Sequence, residues 1–370
     1  MALIIYLDTQ DYINIFNEPA NGPSQAILSR LMAHRDRGEV VFGFSFATVM
    51  EFITKPDVAN RPERVRRGEL IKSICGPNAF PYLTDLARGA RFPNDGRWML
   101  SSDEKAISAK SFKLEMHKTL SNTLASAKGL NRQQRRKFGR KSTMVELLRS
   151  SDSTWGRKRA DYGDFPVSNE IVESRILERF MKGQCSDKEF ETKMNAWLSD
   201  PAEFSRIAYD YADQPNMIDA SFGKTIDNIE RLVNDVRVTL DELRKSNEVR
   251  LDTRKRLMEL GMEKSEAVRI TKQIALPEFN IKNQNDKLEA MFGVERAGHF
   301  DHYFSRMVRK GYSFKRSDVM DVMQMCYAYD CQLFRCDKAM ADTFKDFEPF
   351  KGKLVGRFSE LPERVSALLN

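Results

Sequence analysis

Leu3-Ile4-Ile5-Tyr6-Leu7-Asp8-Thr9 decides how this chain is read. An unbroken apolar run that ends in an acid predicts a strand buried on both faces, as in a parallel sheet. Such a strand delivers its carboxylate at the carboxyl end, the edge where open α/β sheets bind their ligands. Three other stretches repeat the theme. Val40 to Phe44 is a strand candidate followed by Ser45, a residue type that starts helices, with Glu51 about two turns on. Ser317-Asp318-Val319-Met320-Asp321 sets two acids three apart, and so on one face of a helix. Leu333-Phe334-Arg335-Cys336-Asp337-Lys338 is another short apolar strand ending in Asp.

Taken singly, each acid has an ordinary explanation. An Asp after a strand is commonly a turn or cap residue, Glu51 suits a solvated helix face, and Asp318 decorates a helix start, where the macrodipole favours acids. Together they suggest more. Carboxylates held close together stay ionised only if a cation neutralises them. Hard divalent ions such as Mg²⁺ and Mn²⁺ prefer oxygen donors, and Mg²⁺ keeps waters that can act as nucleophile. Hydrolysis of a phosphodiester by one or two such ions needs no Ser, Cys or His nucleophile. The chain has only 4 His, none in a metal-binding spacing.

The segments Tyr6-Leu7-Asp8-Thr9, Ser317-Asp318-Val319-Met320-Asp321 and Phe334-Arg335-Cys336-Asp337-Lys338 resemble the PIN-domain ribonucleases, bacterial PIN-like proteins most of all. That resemblance implies a Rossmann-like parallel sheet and Mg²⁺- or Mn²⁺-dependent cleavage of RNA, or of structured DNA in some branches. It further implies that Asp8, Glu51, Asp321 and Asp337 hold the metal, with Asp318 a fifth candidate for the catalytic set, and it suggests a toxin or defence role. It covers residues 1–95 and 290–370. The chain departs from the pattern in its greater length and in Gln324, where similar proteins often carry His.

Composition limits the alternatives. A charged fraction of 31% beside 41% hydrophobic residues describes a folded globular chain rather than a disordered one. No apolar run approaches the roughly 20 residues needed to cross a bilayer. The N-terminus has no basic leader before Asp8, so no signal peptide and a cytoplasmic location are expected. The 5 Cys (Cys75, Cys185, Cys326, Cys331 and Cys336) form no CxxC pair and are expected to be reduced, buried and small-hydrophobe in character.

The net charge is +7, and residues 101–160 alone hold 15 Lys or Arg against 5 Asp or Glu, a local +10, so the remainder is slightly acidic. Lys128, Arg132, Arg135, Arg136, Lys137, Arg140 and Lys141 fall within fourteen residues that contain no acid. Such a run neutralises phosphates without reading sequence. Trp155 with Arg157, Lys158 and Arg159 adds a ring able to stack on an unpaired base. A solvated helix face or a basic loop is the plain alternative.

The expected architecture is α/β: a Rossmann-like, PIN-like parallel sheet from 1–95 plus 290–370, interrupted by a large helical, partly basic insertion at 96–289. Strands are expected at 3–7, 40–44 and 332–336. Within the insertion a helix capped by Ser168 carries Val172, Ile176 and Phe180, and Ser186 with Glu189 opens the next through a capping box. A stripe from Ile226 to Leu243 suits a helical hairpin or a dimer seam. A further helix is expected at 254–274. The expected function is a metal-dependent endoribonuclease binding RNA, with a regulatory protein or a second copy as partners through the helical insertion and no membrane association. Alternatives are a structure-specific DNA nuclease with the same acids and a non-catalytic nucleic-acid-binding or regulatory scaffold.

Overall fold

The computed structural model describes residues 2–53, 61–82, 85–86, 90–93, 109–110, 112–114, 118, 131–133, 136, 156–162, 167–198, 200–211, 245–273, 294–309 and 316–370. The chain is α/β and mostly helical. Four parallel strands, β1 (Leu3–Tyr6), β2 (Val40–Gly43), β3 (Leu333–Arg335) and β4 (Leu354–Val355), form a sheet in the order β2-β1-β3-β4. The register pairs Tyr6 with Gly43 on one side and with Phe334 on the other. The two extremities of the polypeptide therefore fold together, as the placement of the acids predicted. A parallel bridge from Phe44 to Ala79 continues the sheet beyond β2.

Apolar residues cover both faces of the sheet, which is why β1 shows no alternation. Tyr6 and Phe334 stack at 4.6 Å on one face and pack with Phe80 and Tyr327. Ile5, Leu7, Phe42, Leu333 and Val355 belong to the core on the other face. Crossovers supply the helices. α1 (Thr9–Asn17) and α2 (Pro23–Asp36) carry the chain from β1 to β2, and the helix Lys338–Phe344 carries it from β3 to β4. α3 (Phe46–Ile53) and α4 (Arg61–Cys75) follow β2.

The described residues between 96 and 289 are helices and turns, with a hydrophobic cluster of their own around Phe112, Tyr162, Leu177, Phe180, Phe190 and Met194. The segment nevertheless joins the sheet's core. Phe204 and Ala208, from the helix Pro201–Asp210, pack with Phe52 and Ile71. At the crossing of that helix with α4, a methyl built on Gly68 would lie 2.5 Å from the Ala202 Cα and 2.6 Å from the Pro201 carbonyl oxygen. Backbone atoms cannot yield as side-chain ends do, so Gly68→Val is expected to destabilise the protein by about 2–3 kcal/mol. Chemical denaturation measures this; an unchanged midpoint would mean that the two helices do not meet there.

Two helices differ from expectation. The one capped by Ser168, whose Oγ accepts from the Ile171 N–H at 3.2 Å, breaks into Asn169–Glu173 and Ile176–Met181 because Arg175 takes a left-handed conformation (φ 53°). The helix expected at 254–274 is a pair, 245–259 and Lys264–Gln273, separated at Gly261 with φ +87°. Ser186 does open the helix Asp187–Leu198 by accepting from the Glu189 N–H at 3.1 Å. The Ile226–Leu243 stripe lies outside the described residues. All five cysteines are free and buried. No described helix is long and apolar enough to cross a membrane.

Candidate active site

From β1 the chain moves to β2 on one side, and from β3 to β4 on the other. The carboxyl ends of β1 and β3 therefore flank the point where the strand order reverses, and ligands of open α/β sheets bind in the crevice outside that point. Asp8 stands two residues beyond β1 and Asp337 two residues beyond β3.

Both are also helix caps. Asp8 Oδ1 accepts from the Gln10 N–H at 3.0 Å at the start of α1, and Asp337 Oδ1 accepts from the Met340 N–H at 2.6 Å. The ordinary reading of an Asp after a strand is therefore correct, and it does not compete with the other. Capping occupies one oxygen of each carboxylate and fixes the direction of the second.

Glu51 comes from α3. Its start is set by a reciprocal pair in which Ser45 Oγ accepts from the Thr48 N–H at 3.3 Å and Thr48 Oγ1 from the Ser45 N–H at 3.4 Å. Tyr6, at the end of β1, puts its hydroxyl 2.9 Å from each of those two side-chain oxygens, so strand and helix are tied beneath the crevice. Thr9 Oγ1 donates to Glu51 Oε2 at 2.6 Å, linking the residue after Asp8 to the acid of α3. The helix Arg316–Gln324 supplies Asp318 in its first turn and Asp321 one turn on.

The other predicted acids lie within electrostatic reach of Asp321. Asp321 is pushed up to about 7, first by burial and then by Glu51, Asp337, Asp8 and Asp318, each of which raises it. Those four, with Asp321 itself, are the five acids read from the sequence. Asp8 is raised by burial and by Asp337, although the cap bond from Gln10 and the charge of Arg335 oppose the rise. This is the behaviour of like charges crowded in a partly desolvated space.

Three site residues escaped the sequence reading. Asp11 is 1% exposed and is pushed up to about 7 by burial, with Arg335 opposing and Asp8 adding to the rise. Its Oδ2 accepts from the Asp8 N–H at 3.2 Å, completing a capping box. The Asp8-x-x-Asp11 spacing was the available signal. Arg335, the one charge inside β3, lies with Nη2 3.1 Å from Asp11 Oδ1 and Nη1 3.8 Å from Asp8 Oδ2. A charged residue within an apolar strand requires a partner, but its identity, more than 320 residues away in sequence, was not readable. Thr9 is the third.

The donors suit a hard divalent ion: all are carboxylate oxygens, and each added negative charge destabilises the next. Among the described residues, however, no group of three or more His, Cys, Asp or Glu is arranged closely enough to hold a metal ion. His299 contributes nothing to the site; burial pushes it down to about 3, and its Nε2 lies 2.9 Å from the Val322 carbonyl oxygen in the core.

The basic residues divide. Arg132 and Arg136 are exposed, as is Lys158. Arg157 is engaged within the fold, pairing with Glu178 through Nε at 3.0 Å and Nη2 at 2.7 Å. Arg159 Nη2 lies 2.9 Å from Asp210 Oδ2, and its guanidinium sits over the Tyr211 ring at 5.2 Å. Lys128, Arg135, Lys137, Arg140, Lys141 and Trp155 lie outside the described residues. No family model matches this chain, and neither a curated protein nor a solved structure shows significant similarity to it.

Proposed function

We propose that this protein is a metal-dependent nuclease, with RNA as its preferred substrate and a PIN-like catalytic fold interrupted by a helical, partly basic insertion. One observation carries the reading. Asp8 and Asp337 stand beyond the carboxyl ends of β1 and β3, which flank the switch point of the parallel sheet, and they, Glu51 and Asp318 each raise the pKa of Asp321. A structural role does not call for so many like charges in one crevice, since each costs stability.

Asp8, Glu51, Asp321 and Asp337 would hold Mg²⁺ or Mn²⁺, with Asp318 beside them. A bound divalent ion supplies activation of water and neutralisation of charge on the phosphodiester. The chain's own groups prepare the site. Thr9 fixes the Glu51 carboxylate, the two caps orient Asp8 and Asp337, and the buried Tyr6–Ser45–Thr48 network holds α3 against β1. Arg132, Arg136 and Lys158 offer exposed positive charge for a phosphate backbone. The toxin or defence role follows from the resemblance alone.

Labelled RNA, single-stranded DNA and duplex DNA, each incubated with purified protein and either Mn²⁺ or EDTA, test the reading. The expected result is Mn²⁺-dependent cutting of RNA that disappears in Asp8→Asn and Asp337→Asn proteins. Cutting of DNA alone would move the assignment to the DNA branch. Binding with no cutting in any metal would leave a scaffold.

A further inference from the structure

We infer that Lys338 and Arg357 form a phosphate grip on the carboxyl edge of the sheet, where they hold the backbone of an RNA strand beside Asp337. The inference rests on the nucleic-acid substrate of the reading above and names contacts that the chain makes to it. β3 and β4 run parallel with Arg335 opposite Val355, and the Cys336 N–H donates to the Val355 carbonyl at 3.2 Å. Asp337 and Arg357 each lie two residues past that pair, so the chain leaves the sheet at both positions on one edge. Asp8, two residues past the end of β1, stands beyond the same edge. Arg357 is in an extended conformation (φ −138°, ψ 137°), which carries the line of β4 outward. Gly356 brings the two cations' backbones together: a methyl built on it would lie 3.5 Å from the Lys338 Cα and 3.8 Å from the Lys338 Cβ.

Both side chains are open to an anion. Lys338 is exposed. Arg357 is 64% exposed, and its Nε reaches Glu360 Oε1 only at 4.0 Å. An ion pair so open to water contributes little. A phosphate competes well with it, because its oxygens accept two parallel hydrogen bonds from a guanidinium and also attract an ammonium. The neighbouring acids make positive charge necessary here. Asp337 directly precedes Lys338, and a carboxylate repels a polyanion. Cations next to that acid offset the repulsion and let the strand approach it.

The test is binding of a fluorescently labelled single-stranded oligoribonucleotide to the purified full-length protein in EDTA, followed by anisotropy across a salt series. For the double variant Lys338→Gln with Arg357→Gln, affinity is expected to fall on the order of tenfold at about 0.1 M salt, and the slope of log K against log salt to decrease by about 1.4. Its urea midpoint is expected to match wild type, since both positions are at the surface. Arg357→Lys retains the charge and is expected to retain the slope. Lys351→Gln removes an exposed cation from the opposite, amino-terminal side of β4 and is expected to bind as wild type does. A double variant with the wild-type slope, or a Lys351→Gln protein that loses as much, would overturn the proposal; Mn²⁺-dependent cutting of RNA by wild type would in that case leave the nuclease reading intact. A slope lost in the double variant, from a wild type that binds RNA and cuts nothing, would keep the grip and end the nuclease reading.

Discussion

Asp321→Asn is expected to abolish cutting and, in the absence of metal, to make the protein more stable. The two effects have one cause. Asp321 is partly buried, and Glu51, Asp337, Asp8 and Asp318 each disfavour its ionised form. Asparagine keeps the shape and removes the charge, so the folded state at about pH 8 no longer bears that repulsion. The gain is on the order of 2 kcal/mol, discounted because one side of the residue opens to solvent. If Asp321 belongs to the proposed donor set, its loss is expected to lower the rate by about a thousandfold or more, the equivalent of roughly 4 kcal/mol in transition-state stabilisation. Urea unfolding in EDTA and single-turnover cleavage in Mn²⁺ measure the two. A variant that lost stability and kept its rate would place Asp321 in the architecture of the helix Arg316–Gln324 and outside the chemistry.

The second large effect concerns pH. Asp321 and Asp11 are each pushed up to about 7, above the ordinary carboxyl range that they recover on unfolding. Between about pH 4 and about pH 7 the folded state therefore binds more protons than the unfolded state. The stability these groups contribute is complete below that window and is lost as the pH rises through it. Glu39 and Glu178, held down at about 2 by their basic partners, act in the opposite sense and only at lower pH, so they do not mask the trend. In EDTA the melting temperature is expected to fall by roughly 3–6 °C between about pH 5 and about pH 8. Millimolar Mn²⁺ is expected to reverse the slope, because the ion binds only deprotonated carboxylates and stabilises the state it binds. Calorimetry across that range, with and without the ion, provides the check. A flat profile in EDTA, indistinguishable from that of Asp321→Asn, would show that the acids do not feel one another.

Crowded acids explain why both predictions trade stability against function. Asp8, Glu51, Asp318 and Asp337 each raise the pKa of Asp321, and Arg335 opposes but does not cancel the rise at Asp11 and Asp8. Caps on α1 and on the helix Lys338–Phe344 engage one oxygen each of Asp8 and Asp337.

What the sequence determined by itself is local. Apolar runs ending in Asp8 and Asp337, the Ser45 start of α3, the one-turn spacing of Asp318 and Asp321 and the Ser186 capping box are all written within a few residues. Hydrogen bonds and period decide them with little help from the rest of the chain. Only the tertiary structure decided which strands are neighbours, that β4 exists at two residues long, and that Gly68 is where the middle segment meets α4. It also decided which charges are available: Arg157 and Arg159 are engaged by Glu178 and Asp210, and Arg335 by Asp11, although nothing in their neighbourhoods along the chain announces those acids. Backbone pattern is a short-range property, whereas the pairing of a buried charge depends on chain closure across many residues, and no local window contains both partners.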